Sequence, residues 1–190
     1  AMLVDHGYVD LLVRGEGEET AAELLYELQW NAKREPDASG LRTVAGLTYR
    51  APGGDGVIRT ADRSPIADLT GVPSPYLGNI FDGVPREILY GATLETNRGC
   101  PYGCTFCDWG SATQQKIRKF DLERVRAELD WMGRAGVSVV FCADANFGIF
   151  ERDVEIAEMI ATTADRHKAL KQVVTNYATT SPQHHSEPIP

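Results

Sequence analysis

At 190 residues, with 43% apolar and 24% charged residues, the chain has enough apolar material for one domain or two small ones, and its composition is not that of a disordered or fibrous protein. A formal net charge of -8 argues against broad attraction to phosphate backbones, so nucleic acid is not an expected partner. No run approaches the roughly 20 apolar residues of a membrane-spanning helix, and the N-terminus lacks the layout of a signal peptide, so no membrane and a cytoplasmic location are expected.

The chain opens at Ala1 almost directly on a strand-like segment and closes on the aperiodic Ser181-Pro-Gln-His-His-Ser-Glu-Pro-Ile-Pro190, so both ends read as cut. Tyr8 to Val13 is an apolar run that predicts a buried strand. Acidic residues at 16, 18 and 19 then precede helically spaced Ala21, Leu24, Leu25 and Leu28, as the positive end of a helix dipole favours. A polar stretch with Pro36 and Gly40 predicts a boundary. Val44 to Arg50 and Val57 to Thr60, joined by Ala-Pro-Gly-Gly-Asp-Gly, predict a hairpin. Residues 61–85, with prolines at 65, 73, 75 and 85, predict an extended connector.

From Arg86 the pattern changes. Ile88 to Asn97 predicts a strand that empties into a cysteine-rich loop. Asp121 is a good N-cap for a helix with Leu122, Val125, Leu129 and Met132 on one face, ending near Gly136. Val137 to Ala143 predicts a second strand, followed by the loop Asp144-Ala-Asn-Phe-Gly148. A helix over 152–167 carries Ile156, Met159, Ile160 and Thr163 on one side, and Gln172 to Asn176 predicts a third strand. The order β-α-β-α-β implies an α/β unit with parallel strands.

The chemistry concentrates in Arg98-Gly-Cys-Pro-Tyr-Gly-Cys-Thr-Phe-Cys107. Cys100, Cys104 and Cys107 have the spacing C-x3-C-x2-C, which lets three thiolates converge on one centre, while Gly99 and Gly103 relieve the backbone. Three thiolates on a four-iron cluster leave one iron open, the mark of a reactive rather than a closed site. A zinc site would require a fourth neighbour, and His167, His184 and His185 lie far along the chain. A thioredoxin-like Cys104-Thr-Phe-Cys107 would leave Cys100 without a role. Cys142, inside an apolar strand, reads as a small buried hydrophobe. The basic run Lys116, Arg118 and Lys119 could neutralise a bound anion, although such runs are usually solvated surface.

These residues resemble the radical S-adenosylmethionine (SAM) superfamily, whose signature is C-x3-C-x-aromatic-C after the first strand of a (β/α)6 partial barrel; Phe106 supplies the aromatic. The resemblance implies a 4Fe-4S cluster on Cys100, Cys104 and Cys107. SAM would chelate the open iron and be cleaved reductively to a 5′-deoxyadenosyl radical, with electrons from a flavodoxin or ferredoxin. It also implies a Phe106 backbone against the adenine, Asp144 and Asn146 near the SAM amino group, and Thr175 and Asn176 toward the ribose. Where the family often carries Gly-Gly-Glu, this chain has Asp144-Ala-Asn-Phe147, similar to the Asp-x-Asn-Phe form of some subfamilies.

Tyr8 to Thr20 and the Pro73-Ser-Pro-Tyr76 connector resemble the cobalamin-dependent subgroup, which implies cobalamin in the full-length protein and methyl transfer as one reaction. The expected organisation is the end of a Rossmann-like B12-binding domain over 1–34, a hairpin and proline-rich connector over 35–85, and about three of six βα units of the barrel over 86–190. Asp5-His6-Gly7 has the residue types of the cobalamin-ligand motif Asp-x-His-x-x-Gly at the wrong spacing, and one β-turn-α unit is too small to enclose a corrin. Two alternatives remain: an iron–sulfur module without SAM chemistry, and an inactive truncated fragment.

Overall fold

The computed structural model describes residues 2–31, 40–53, 56–102 and 116–177, so the polar boundary around Pro36, Gly103, Cys104, Phe106, Cys107 and the tail from residue 178 lie outside the described residues. The chain divides into two units, Ala1–Ala67 and Asp68–Pro190. This division coincides with neither 34/35 nor 85/86: the hairpin joins the first strand in one sheet, and the proline-rich stretch is split, with Pro65 in the first unit and Pro73, Pro75 and Pro85 in the second.

The first unit contains α1 (Met2–Asp5), β1 (Leu11–Val13), α2 (Glu18–Asn31), β2 (Leu47–Arg50) and β3 (Val57–Arg59). Both pairings in the sheet β1-β2-β3 are antiparallel, with Leu12 opposite Thr48 and Tyr49 opposite Ile58. Period-two alternation along β2 puts Leu47 and Tyr49 inward, where they meet Val44 and Leu24 of α2. Of the apolar face expected on α2, Leu24 is enclosed, whereas Leu25 and Leu28 are exposed. Arg14 ties the sheet to the segment just past β3: its guanidinium donates to the Thr48 hydroxyl at 2.7 Å, the Thr60 carbonyl at 2.8 Å and the Asp62 carboxylate at 2.8 Å. Arg63 reaches back to Thr20 at 2.8 Å and Glu19 at 3.0 Å, so the acidic start of α2 is paired within the unit.

The second unit contains β4 (Gly91–Leu94), β5 (Asn97–Arg98), β6 (Arg118–Lys119), α3 (Leu122–Ala135), β7 (Val139–Phe147), α4 (Glu151–His167) and β8 (Gln172–Tyr177). The sheet β4-β7-β8 is parallel throughout, as the alternation of strands and helices implied, and β5 and β6 form a separate antiparallel pair. The helices sit as expected. Gly136, at φ 77°, ends α3 in the left-handed conformation that glycine adopts at little cost. Asp121 occupies the N-cap of α3 without a side-chain cap bond, while at α4 Asp153 accepts from the backbone N–H of Gly148 at 2.9 Å and Phe150 at 3.0 Å.

Val125, Leu129, Met132 and Ile156 from the helices, and Leu94, Val140 and Cys142 from one face of the sheet, are closed to solvent. On the other face the register partners Thr93, Phe141 and Val174 are exposed. The free edge of β4 is occupied by a side chain. Tyr76 accepts from the Thr93 N–H at 2.9 Å and donates to the Thr93 carbonyl at 2.6 Å, completing pairs that an edge strand otherwise leaves open. Its ring packs 5.0 Å from that of Trp131 on α3.

Strand β7 departs most from expectation: residues 144–147, expected as a loop, belong to the strand. The chain advances five residues from Cys142 to Phe147 on β7 against two from Thr175 to Tyr177 on β8, so this stretch is a bulge within the ladder.

Helices α3 and α4 approach closely at Gly133, where an added Cβ would lie 2.6 Å from His167 Cδ2 and 2.8 Å from Thr163 Cγ2. The overpacking cost of Gly133→Ala, roughly 1–3 kcal/mol, is expected to exceed the ~1 kcal/mol gain in helix propensity. Urea denaturation should report a net loss; a gain would show that His167 swings aside freely.

Candidate metal centre at the strand ends

Strand β4 ends at Leu94, and the chain turns through Glu95 and Thr96 into β5 before Gly99 and Cys100. Thr96 and Asn97 at this corner are buried and hold a carboxylate from the neighbouring strand. Asp144 accepts from the Thr96 N–H at 2.7 Å, the Asn97 N–H at 3.2 Å, the Asn97 side-chain amide at 2.8 Å and the Thr96 hydroxyl. Four donors fill the acceptor sites of an ionised carboxylate. Burial pushes the Asp144 carboxyl up from its usual range, and the Thr96 and Asn97 donors pull against that. Asp144, expected from the sequence beside the SAM amino group, is fully closed to solvent and committed to this corner.

Two residues further along the bulge, Asn146 is 4% exposed and its side-chain Nδ2 donates to the Cys100 sulfur at 3.2 Å. Its Oδ1 is enclosed without a hydrogen-bond partner among the described residues, as are Asn97 Oδ1 and Asn176 Nδ2. Thr175 and Asn176, half-buried on β8, belong to the same end of the sheet, Thr175 being the register partner of Cys142. Gly99, at φ 100°, turns the chain into the loop in a conformation that side chains resist. Arg98 forks onto Glu95 through two bonds of 2.9 Å, and its guanidinium lies 5.6 Å from the Phe120 ring.

Of the expected ligands, Cys100 is therefore placed at the carboxyl ends of parallel strands, where open α/β sheets bind ligands. Cys104, Cys107 and Phe106 lie outside the described residues. Cys142 is 1% exposed, and burial, reinforced by the charge of Asp144, pushes its thiol up to about 12. Its burial accords with the reading of Cys142 as a small buried hydrophobe. A cleft of about 400 Å³ lined by Tyr76, Trp131, Val137 and Val139 opens toward the starts of the strands and contains none of these groups. Lys119 stands 3.5 Å from the Phe150 ring, so this member of the basic run is engaged with an aromatic face. Reading the sequence alone missed Thr96 and Asn97; the only signal was four polar residues in succession, Glu95 to Arg98, after an apolar strand.

Cys100 thus follows the corner after a parallel strand, with the Asn146 amide of the neighbouring strand on its sulfur. The chain is a relative of the cobalamin-dependent radical SAM methyltransferases. It is 43% identical over 182 residues to the cobalamin-dependent radical SAM methyltransferase TokK of Streptomyces tokunonensis, covering 93% of this chain and 25% of TokK. It is 42% identical over 186 residues to the 2-(S-pantetheinyl)-carbapenam-3-carboxylate methyltransferase of Streptantibioticus cattleyicolor, again with 93% and 25% covered. Among solved structures, the cobalamin-dependent SAM radical enzyme OxsB, with aqua-cobalamin and SAM bound, superposes with a TM-score of 0.56 at 24% identity, over 86% of this chain and 22% of OxsB. The chain thus spans about a quarter of the length of the curated relatives it matches. No protein-family model matches it.

Replacing the buried carboxylate tests the corner. In Asp144→Asn an amide NH2 faces the Asn97 amide or the Thr96 hydroxyl, and a loss of about 2 kcal/mol is expected in denaturant unfolding. The native protein should also leave Cys142 unmodified by iodoacetamide while Cys100 reacts; equal labelling would contradict the burial of Cys142.

Proposed function

We propose that this chain carries the cluster-binding portion of a radical SAM enzyme, with Cys100, Cys104 and Cys107 as ligands to a 4Fe-4S cluster. The observation that carries the proposal is the placement of Cys100 at the carboxyl end of a parallel sheet with the Asn146 amide on its sulfur. A thiolate with an N–H donor in a largely enclosed setting suits iron–sulfur ligation. When bound, the cluster supplies the electron for reductive cleavage of SAM, drawn from a flavodoxin- or ferredoxin-type donor. Thiols kept reduced for a cluster would suit the cytoplasm.

The residues of β7 and β8 take separate parts in this reading. Asp144 holds the corner that feeds the cysteine loop, acting on SAM through position. The unpartnered Asn146 Oδ1 is available to accept from the SAM ammonium, and Thr175 and Asn176 offer polar contacts for the ribose. Phe106 lines the adenine. The parallel β4-β7-β8 sheet with α3 and α4 forms about three units of a (β/α) barrel, whose further strands would cover the exposed face of Phe141 and Val174. The first unit adjoins a Rossmann-like cobalamin-binding domain, whose packing would cover Leu25 and Leu28 of α2.

The relatives also suggest methyl transfer with cobalamin for the whole protein. No described residue is assigned to the corrin: His6, the only imidazole of the first unit by sequence, lies 3.2 Å from the Tyr8 hydroxyl and is exposed.

Anaerobic reconstitution of the intact protein with iron and sulfide tests the ligand set. Cys100→Ala, Cys104→Ala and Cys107→Ala should each abolish visible charge-transfer absorption and lower bound iron at least severalfold, whereas Cys142→Ala should retain both. With dithionite and SAM, the unsubstituted protein should release 5′-deoxyadenosine. A Cys104→Ala variant with full iron content would overturn the assignment, and a stable cluster with no SAM cleavage would favour an electron-transfer module.

A further inference from the structure

The Asn146 amide is enclosed, 4% exposed, and its donor meets the sulfur of the half-buried Cys100 at 3.2 Å. Its placement is over-determined. Asp144, two residues earlier in the bulge, is bonded to Thr96 and Asn97, four and three residues before Cys100, so donor and sulfur are carried by backbones fastened to each other. For a Cys100 thiolate the orientation of the amide follows from chemistry, because the opposite rotamer would set Oδ1, an acceptor, against a sulfur that can then only accept.

We infer that Asn146 is a positioning residue for the Cys100 thiolate and raises the reduction potential of the cluster that the thiolate holds. A hydrogen bond to a ligand sulfur stabilises the reduced cluster, which carries one more negative charge, more than it stabilises the oxidised one. The electron enters from the external donor, no bond to Asn146 is made or broken, and the amide stays neutral throughout. The inference rests on the cluster assignment proposed above and adds a role that the carboxamide's contact with SAM would not produce.

The test is a redox titration of the reconstituted intact protein without SAM, followed by electron paramagnetic resonance, with resonance Raman of the Fe–S(Cys) stretching bands. Asn146→Leu keeps the branched shape and heavy-atom count, with bulkier methyl groups, and removes the donor; it should lower the reduction equilibrium constant about tenfold, ~59 mV for one electron, and raise the stretching frequency of one Fe–S(Cys) bond. Asn146→Asp, which puts a carboxylate beside the sulfur, should lower the potential further. Cys142→Ala, on the same strand and not in contact with Cys100, should leave both readouts at the unsubstituted values. Equal potentials in Asn146→Leu and the unsubstituted protein would overturn the inference while leaving the ligand assignment standing. Loss of iron from both Asn146 variants with circular dichroism unchanged would also overturn it, by making the residue a requirement for ligation. Failure of the unsubstituted protein to form a cluster would overturn both.

Discussion

The second unit depends on one buried carboxylate. Removing an ion from water costs several kcal/mol, and that cost is offset only where the ion's acceptor sites are filled. Asp144 meets the condition with four donors, all from Thr96 and Asn97, which stand nearly fifty residues earlier in the chain. Charge-assisted bonds of this kind contribute about 1.5–3 kcal/mol each and are directional. The corner after β4 is therefore fixed relative to β7. A parallel ladder alone would not fix it, because its regular pairing to β7 ends at Leu94 and Cys142, before the polar residues begin.

The bulge in β7 follows from the same constraint. A regular strand alternates its side chains between the two faces of the sheet, and residues 140 and 142 face the side closed by the helices. For Asp144 and Asn146 to serve the corner and the cysteine loop, the strand must depart from the register of β8, and it does so between Cys142 and Phe147. Asp153 holds the far side of this stretch through the backbone of Gly148 and Phe150, so both ends of the irregular segment are tied.

This explains which parts of the molecule were legible in the sequence. The helices α3 and α4 were, because their apolar residues repeat at helical spacing and Gly136 or acidic first turns mark their ends. The parallel direction of the strands in the β4-β7-β8 sheet followed from the alternation of elements. Asp144-Ala-Asn-Phe-Gly read as a loop because Asp, Asn and Gly disfavour regular strands, and the bulge is where a strand tolerates them. The antiparallel pairing of β1 with β2 was illegible: it is set between Leu11–Val13 and Leu47–Arg50, and no local pattern in β1 encodes its partner. At the site, the cysteine spacing marked Cys100 as a candidate, and the polar residues after the second strand marked Asp144 and Asn146. Their actual partners, Thr96, Asn97 and the Cys100 sulfur, come from contacts across more than forty residues, which periodicity does not carry.

The difference between the two polar residues of β7 is itself a consequence of electrostatics. Asp144 is surrounded by donors, and a neutral amide there would leave some of them facing another donor. Asn146 faces the Cys100 sulfur, and a carboxylate there would set a negative charge within hydrogen-bond distance of any thiolate form of it in an enclosed setting, where Coulomb repulsion is far stronger than in water. An amide avoids that repulsion and brings a donor to the sulfur. The order of acid first and amide second along one strand therefore assigns the charge to the position buried among donors and the neutral group to the position beside the thiolate.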